Sequence, residues 1–361
     1  MIFRLINFFF KAKPFTDGEI NPEEIKKILV VKQHNQFGDM LCTYPIFPAL
    51  KKRFTTAKIT LVASKENSIF LKAGTDPYID ELLIYKKFNL WNLIKFIIKI
   101  RKVKYDIGIV PSTVSISRTS HLINALSKAR IKVGVKSLDG KENKYSSLLN
   151  LKKDFDWRGK EVHQKHKNLE IVKQIGAELT TEEINNIRIN LDDEEIRNAQ
   201  NIYIKYFPDK SKMIIGIHCG AGKIQNRWDV KKFAELMEKM NKEYNCYFYC
   251  SNGPMDGQVS KELEKNLEGK NVKYKIIKDN NIIETAAMIS LCNMFISNDT
   301  GIMHIADYTG VKVISLFAET KGYEWASMRK NCIYIQSKTE NINDIEVDEV
   351  FNTSIKLLTN S

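Results

Sequence analysis

The feature that most limits how this chain can fold is a set of short, mainly apolar segments separated by amphipathic stretches. Ile28, Leu29, Val30 and Val31 form an unbroken apolar run, and further strand-like segments stand at residues 58–63, 81–85, 106–110, 213–218, 246–250, 294–297 and 312–316. A strand wetted on one face alternates apolar with polar residues. An unbroken apolar run instead suits a strand covered on both faces, as in a parallel sheet. Helical patterns lie between the runs, at residues 41–54, 68–73, 90–103, 230–244, 258–267, 283–291 and 302–308. Strands alternating with helices predict a doubly wound α/β architecture.

The alternation occurs twice. A less regular middle separates the two series, from Arg130 to Thr180, and contains a helical segment at 163–176. A chain of 361 residues is long enough for two domains with separate cores. The expected division is an N-terminal segment and linker at 1–24, a first domain at 25–185 and a second at 186–361. Two such halves would face each other across a cleft. Loops at the carboxyl ends of the strands would line it, which is where such folds hold ligands.

Four of these loops carry groups suited to chemistry. The first contains Gln36, Phe37, Gly38 and Asp39, directly after the first strand. Gly38 permits close backbone approach or an unusual dihedral. Asp39 stands at a helix start, where it either caps the helix, worth about 1 kcal/mol, or acts as a general base. There is no GxGxxG here, which argues against a dinucleotide dehydrogenase. The second loop runs from Asn298 through Asp299, Thr300, Gly301 and Ile302 to His304. Its amides open a helix, a natural seat for an anion. The Thr300 hydroxyl would assist, and Gly301 would let a phosphate come close. His304 would reach a phosphate or sugar oxygen from the first turn.

The third loop runs from His218 through Gly220 and Gly222 to Lys223, Arg227 and Trp228. It is either a phosphate site, with Lys223 and Arg227 facing a diphosphate, or a surface turn with two solvated cations. The spacing is not that of a P-loop. Trp228 is expected to pack. In the fourth loop, Asp256 either accepts from ribose hydroxyls or caps the next helix.

Charge and cysteines narrow the surroundings. The net charge of +13 favours polyanionic partners: nucleic acid, anionic lipid or phosphorylated substrates. No nucleic-acid-binding motif is present, so no specific nucleic-acid partner is expected. Six scattered cysteines without a CxxC pair read as reduced, mostly buried thiols, and no metal site is expected. No apolar stretch reaches the roughly 20 residues of a membrane-spanning helix. The segment MIFRLINFFFKAKPF mixes phenylalanines with cations and lacks a cleavage-site pattern. It is either an in-plane membrane anchor or a helix docked on the protein itself. The basic helix at residues 91–104 either approaches anionic lipid and a phosphorylated acceptor or is a packed helix with a solvated basic face, and the second reading is preferred.

Three segments together resemble glycosyltransferase family 9, the ADP-heptose:lipopolysaccharide heptosyltransferases, over residues 27–320. ILVVKQHNQFGDMLCTYPIFPALKKRF is similar to the family's opening strand, loop and helix. HQKHKNLEIVKQIG is similar to its central helix, and FISNDTGIMHIADYTGVKVISLFAET carries its D-T-G-x-x-H signature. The resemblance implies a GT-B fold of two Rossmann-like domains, acceptor on the N-terminal half and nucleotide-sugar donor on the C-terminal half. It implies Asp39 as the catalytic base, with Gln36 and Gly38 on the acceptor-side loop. Asp299, Thr300, Gly301, Ile302 and His304 would bind the donor, Asp256 would lie near the nucleoside, and Asn280 near the adenine. Where the family has a lysine before its R/H-W-P motif, this chain has Asn226.

The implied reaction is an inverting transfer of heptose from ADP-heptose, without metal, to a lipid-linked core oligosaccharide. It would take place at the cytoplasmic face of a bacterial inner membrane, on an anionic lipid surface. Rival readings are a transferase with another nucleotide-sugar donor, a sugar-nucleotide epimerase, or a non-catalytic basic module that binds membrane or nucleic acid.

Overall fold

A computed structural model describes residues 11–15, 20–33, 37–72, 75–86 and 90–359 of the protein. The chain divides into two compact units, Met1–Asn186 and Ile187–Ser361. Each is built around its own mainly parallel sheet.

The first unit has strands β1 (Lys27–Lys32), β2 (Lys58–Ala63), β3 (Glu81–Ile84), β4 (Ile107–Ile109), β5 (Ile131–Leu138), β6 (Lys141–Glu142) and β7 (Leu151–Phe155). Its helices are α1 (Phe37–Thr43), α2 (Ile46–Arg53), α3 (Leu90–Arg101), α4 (Arg118–Leu126), α5 (Gln164–Lys173) and α6 (Thr181–Asn185). The sheet order is β3-β2-β1-β4-β5, with β6 antiparallel and β7 parallel to β5. Strand β1 is therefore central, paired in parallel with β2 on one side and β4 on the other. Ile28, Leu29, Val30 and Val31 are completely buried, as their unbroken run requires.

The second unit repeats the plan. Its strands are β8 (Ile214–His218), β9 (Tyr247–Ser251), β10 (Lys273–Ile277), β11 (Met294–Asn298), β12 (Lys312–Phe317) and β13 (Cys332–Gln336). Its helices are α7 (Asp193–Tyr206), α8 (Val230–Tyr244), α9 (Gly257–Leu267), α10 (Ile282–Ser290), α11 (Gly301–Thr309), α12 (Gly322–Trp325) and α13 (Val347–Thr359). All six strands are parallel, in the order β10-β9-β8-β11-β12-β13. In both units the first strand lies beside the fourth. That reversal of strand order is the switch point at which doubly wound sheets hold ligands, beyond the carboxyl ends of the strands.

Three expectations need correction. The helix at 41–54 is two helices, α1 and α2, with a turn at Tyr44 and Pro45 between them. Pro45 has no N–H to continue the first ladder, and its fixed φ opens the second. Residues 65–70 form turns rather than a helix. There Asn67 Oδ1 accepts from the Ser64 amide and Ser64 Oγ accepts from the Asn67 amide, so side chains take up the groups a helix would need. The middle is more regular than its sequence reads, because β5 and β7 pair across it.

The six cysteines are free thiols, five of them buried. Burial pushes the Cys246 and Cys292 thiols up to about 12. Most of the N-terminal segment lies outside the described residues. Where description begins, Ala12 and Phe15 donate their amides to the Ser147 and Asn150 carbonyls.

Candidate active site

The first constellation sits at the carboxyl end of β1. Lys32, the last residue of the strand, is buried, and its Nζ lies 2.9 Å from Oδ2 of Asp39. The same Nζ donates to the Pro111 carbonyl at 3.2 Å. Asp39 is only 4% exposed. It lies inside α1 rather than at its cap, and its side chain makes the ion pair instead of bonding the helix amides. Oδ1 has no hydrogen-bond partner among the described residues. The carboxylate is thus held through one oxygen and bare at the other. Gly38 lies in the first turn of α1, and Gln36 lies outside the described residues.

Helix α5 fixes α1 from behind. The Thr43 hydroxyl donates to the Asp39 carbonyl at 2.8 Å and lies 3.1 Å from Asn168 Oδ1. Asn168, fully buried, donates to the Gln164 carbonyl at 2.8 Å. His163 caps α5 by accepting from the Lys165 amide. Lys165 and Lys167 in the first turn of α5 are also buried, with Lys167 Nζ 5.6 Å from the centre of the Trp157 ring. No role for Lys32, Lys165, Lys167 or Asn168 is apparent from the sequence motifs. The signal for Lys32 is a charged residue that closes the apolar run at residues 28–31 of the central strand.

The second constellation belongs to the other unit and joins the loops after β8, β9 and β11. Asn298 ends β11 and is fully buried. Its Nδ2 donates to the Cys219 and Gly220 carbonyls, at 2.9 and 3.1 Å, and its Oδ1 accepts from the Trp228 amide at 3.1 Å. Trp228 packs as expected: it is fully buried and its Nε1 donates to the Ile345 carbonyl. Asn226 donates to Asp299 Oδ2 at 3.1 Å. Burial raises the Asp299 carboxyl above its ordinary value, opposed by a Thr320 hydrogen bond and the positive charge of Lys223. Thr300 caps α11 by accepting from the Ile302 amide at 3.2 Å. That amide is therefore engaged by the cap. His304 is buried, with its ring 6.2 Å from that of Trp325.

The two cations of the loop after β8 differ. Lys223 is exposed. Arg227 folds back, donating through Nη2 to the Ala221 carbonyl, and its Nε is buried without a partner among the described residues. Asp256 does not cap α9. It accepts from the Gly253 amide at 2.7 Å and lies 3.8 Å from His218 Nε2. Gly220 is required for this: a Cβ there would stand 2.2 Å from Asp256 Oδ1. Burial holds the His218 imidazole below its ordinary value, partly offset by Asp256, and Nδ1 of the ring meets Ser251 Oγ at 3.0 Å.

Asn280 follows β10, at the carboxyl edge of the same sheet. It lines a cavity of about 350 Å³ at the N-terminal ends of α7 and α10, together with Asp192, Glu195, Asn198, Glu284 and Met288. Among the described residues, no group of three or more His, Cys, Asp or Glu side chains is placed to hold a metal ion.

Residues 93–353 match the model of glycosyltransferase family 9 (heptosyltransferase). The chain belongs to glycosyltransferase family 9. A putative lipopolysaccharide heptosyltransferase 4 of Escherichia coli K12 is 22% identical to this family 9 chain, over 98% of it and 92% of the relative. Lipooligosaccharide heptosyltransferase 2 of Campylobacter jejuni is 29% identical over 30% of the chain, a match that spans only 35% of that protein's length. The solved structure of E. coli ADP-heptose lps heptosyltransferase II superposes with a TM-score of 0.75 at 18% identity, over 92% of this chain and 98% of that one. This likeness shows the fold, GT-B with two Rossmann-like domains. The family match begins after the Asp39 loop, so the role of that loop rests on its own geometry.

Proposed function

We propose that this family 9 protein is an inverting glycosyltransferase that moves a heptose from ADP-heptose to a lipid-linked lipopolysaccharide or lipooligosaccharide core acceptor. It works at the cytoplasmic face of a bacterial inner membrane. The observation that carries the reading is Asp39: a buried carboxylate at the switch point, with one oxygen on Lys32 and the other, also buried, without a hydrogen-bond partner among the described residues. Oδ1 takes the proton of an acceptor hydroxyl, whose oxygen forms the new bond to the anomeric carbon. The bond from that carbon to the diphosphate breaks on the opposite face, and its electron pair leaves with ADP. Lys32 is the positioning residue for the base.

The leaving diphosphate is bound at the N-terminus of α11, where the dipole and first-turn amides favour an anion. Thr300, Gly301 and His304 lie in that turn, and Lys223 supplies an exposed cation beside it. Asn226 meets Asp299 through a neutral amide, so Lys223 or Arg227 supplies the charge compensation. Asp256 accepts from the donor's ribose. With these groups the diphosphate charge is met without a bound metal. Kinship to a protein named for ADP-heptose supports the choice of donor.

The test is calorimetry with ADP, UDP, GDP and CMP in the presence of a chelator, followed by turnover of ADP-heptose. Selective ADP binding that is lost in Asp299→Ala/Thr300→Ala is expected. Asp39→Ala should lose transfer by roughly a hundredfold or more while ADP affinity holds, and the product should have inverted anomeric configuration. Preference for UDP or GDP would move the enzyme to another donor. Undiminished turnover by Asp39→Ala would remove that residue from the mechanism.

A further inference from the structure

Helix α3 carries its surplus of apolar residues on the wrong side for an ordinary surface helix. Its inner face is already satisfied. Ile100 is completely buried with Leu29, Val31 and Ile123, and Phe96 stacks edge-on against Tyr85 at 5.2 Å. The outer face should then be polar. Instead Trp91, Ile94 and Ile98 are 71%, 40% and 53% exposed. Their spacing of three and then four residues places them in one line along the helix. Trp91 is far more exposed than the deeply buried Trp157 and Trp228.

The charge around this stripe has one sign. Lys95, Lys99, Arg101, Lys102 and Lys104 are all exposed, and residues 90–104 contain no Asp or Glu. The nearest opposition is Glu81, whose carboxylate lies 4.0 Å from Lys99 Nζ at the surface. A nucleic acid would use the cations but not the aliphatic stripe. A bilayer of anionic lipid uses both: apolar side chains enter the acyl boundary while lysines meet the headgroups. Tryptophan is favoured at that boundary in particular.

We infer that the outer face of α3 is a docking surface for an anionic lipid bilayer, with Trp91, Ile94 and Ile98 inserted in the interface and Lys95 and Lys99 on the headgroups. The helix follows β3, so Trp91 in its first turn stands at the carboxyl edge of the first sheet. Asp39 follows β1 at the same edge. Docking through α3 would bring that edge toward the membrane. The inference stands apart from the transfer reaction, since a lipid-binding face needs neither donor nor acceptor.

The experiment is co-sedimentation of the full chain with vesicles of phosphatidylcholine alone and of phosphatidylcholine mixed with phosphatidylglycerol, with tryptophan emission recorded on the same samples. Wild type should bind the mixed vesicles selectively and shift its emission to the blue. Trp91→Phe should keep most of the binding and lose most of the shift. Trp91→Ser/Ile94→Ser/Ile98→Ser should weaken binding at least about tenfold, with an unchanged melting midpoint showing that it is folded. Lys95→Ala and Lys99→Ala should each cost about fivefold on mixed vesicles only. Undiminished binding by the triple serine variant would place membrane contact elsewhere in the chain and overturn the inference. So would a wild-type protein that ignores both vesicle types. A wild-type dimer that the triple variant dissolves, without vesicle binding, would reassign the face to a second copy.

Discussion

At the scale of single residues, the Lys32–Asp39 pair sets the sharpest energetic demand. Both side chains are at most 7% exposed, so each depends on the other for compensation. Removing one member of a buried pair leaves an uncompensated charge, whereas removing both need cost little. Lys32→Met should therefore lower unfolding free energy by about 3 kcal/mol or more, while Lys32→Met/Asp39→Leu recovers most of it. Urea titration of the two variants checks this, and equal losses in both would show that the pair is not coupled. Asp39 was legible in the sequence as a helix-start carboxylate with two possible roles. Its partner was not, because a lysine at the end of a strand reads as a solvated charge until the strands on either side cover it. Asp256 was open between capping and ligand contact for a similar reason. Only the closeness of its carboxylate to Gly220 and Gly253 shows that it turns toward the loops after β8 and β9 rather than onto α9.

The elements themselves were read more completely than their ends. Buried parallel strands announce themselves by unbroken apolar runs, so the central strands of both sheets were visible from composition alone. Edge strands such as β10 and β13 are only partly buried and carry mixed sequences, so they gave no such signal. The packing of α4 against the middle strands was also hidden, although it contains a titratable joint. His121 on α4 is buried. Its Nδ1 lies 2.7 Å from the Ser117 carbonyl, which makes that nitrogen the donor, and Asn143 donates to Nε2 at 3.0 Å. Both ring nitrogens are thus matched only in the neutral form, and burial lowers the folded value below the ordinary one. Below an unfolded value of about 6.5 the unfolded chain binds the proton more readily than the folded one. Stability from this joint is full above that pH and declines as pH falls toward the folded value. Melting midpoints measured from pH 8 down to pH 5 should show this decline, and His121→Gln should flatten it. An unchanged slope in the variant would assign the acid sensitivity to other groups, His218 first among them.

On the scale of the whole molecule, the excess positive charge resolves into two kinds of cation that respond differently to salt. Lys32 is buried within its ion pair, where dissolved ions screen little. Lys95, Lys99 and Arg101 stand in water on α3, where screening is strong beyond about 10 Å at 0.1 M ionic strength. If Asp39 is the base and α3 the lipid-docking face, as proposed, the base carries its counterion inside the fold before any acceptor arrives, while attraction to a lipid surface can be tuned from outside. Ionic strength should then act as a clutch that disengages recruitment without touching the chemistry. At saturating donor, added salt should slow transfer to an acceptor held in anionic vesicles and leave transfer to the same sugar, freed from its lipid, nearly unchanged. Parallel loss on both acceptors would place the salt-sensitive step in the active site. With the proposed docking face, the working rate would be governed by the charge of the lipid beneath the protein, the bilayer serving as its regulator.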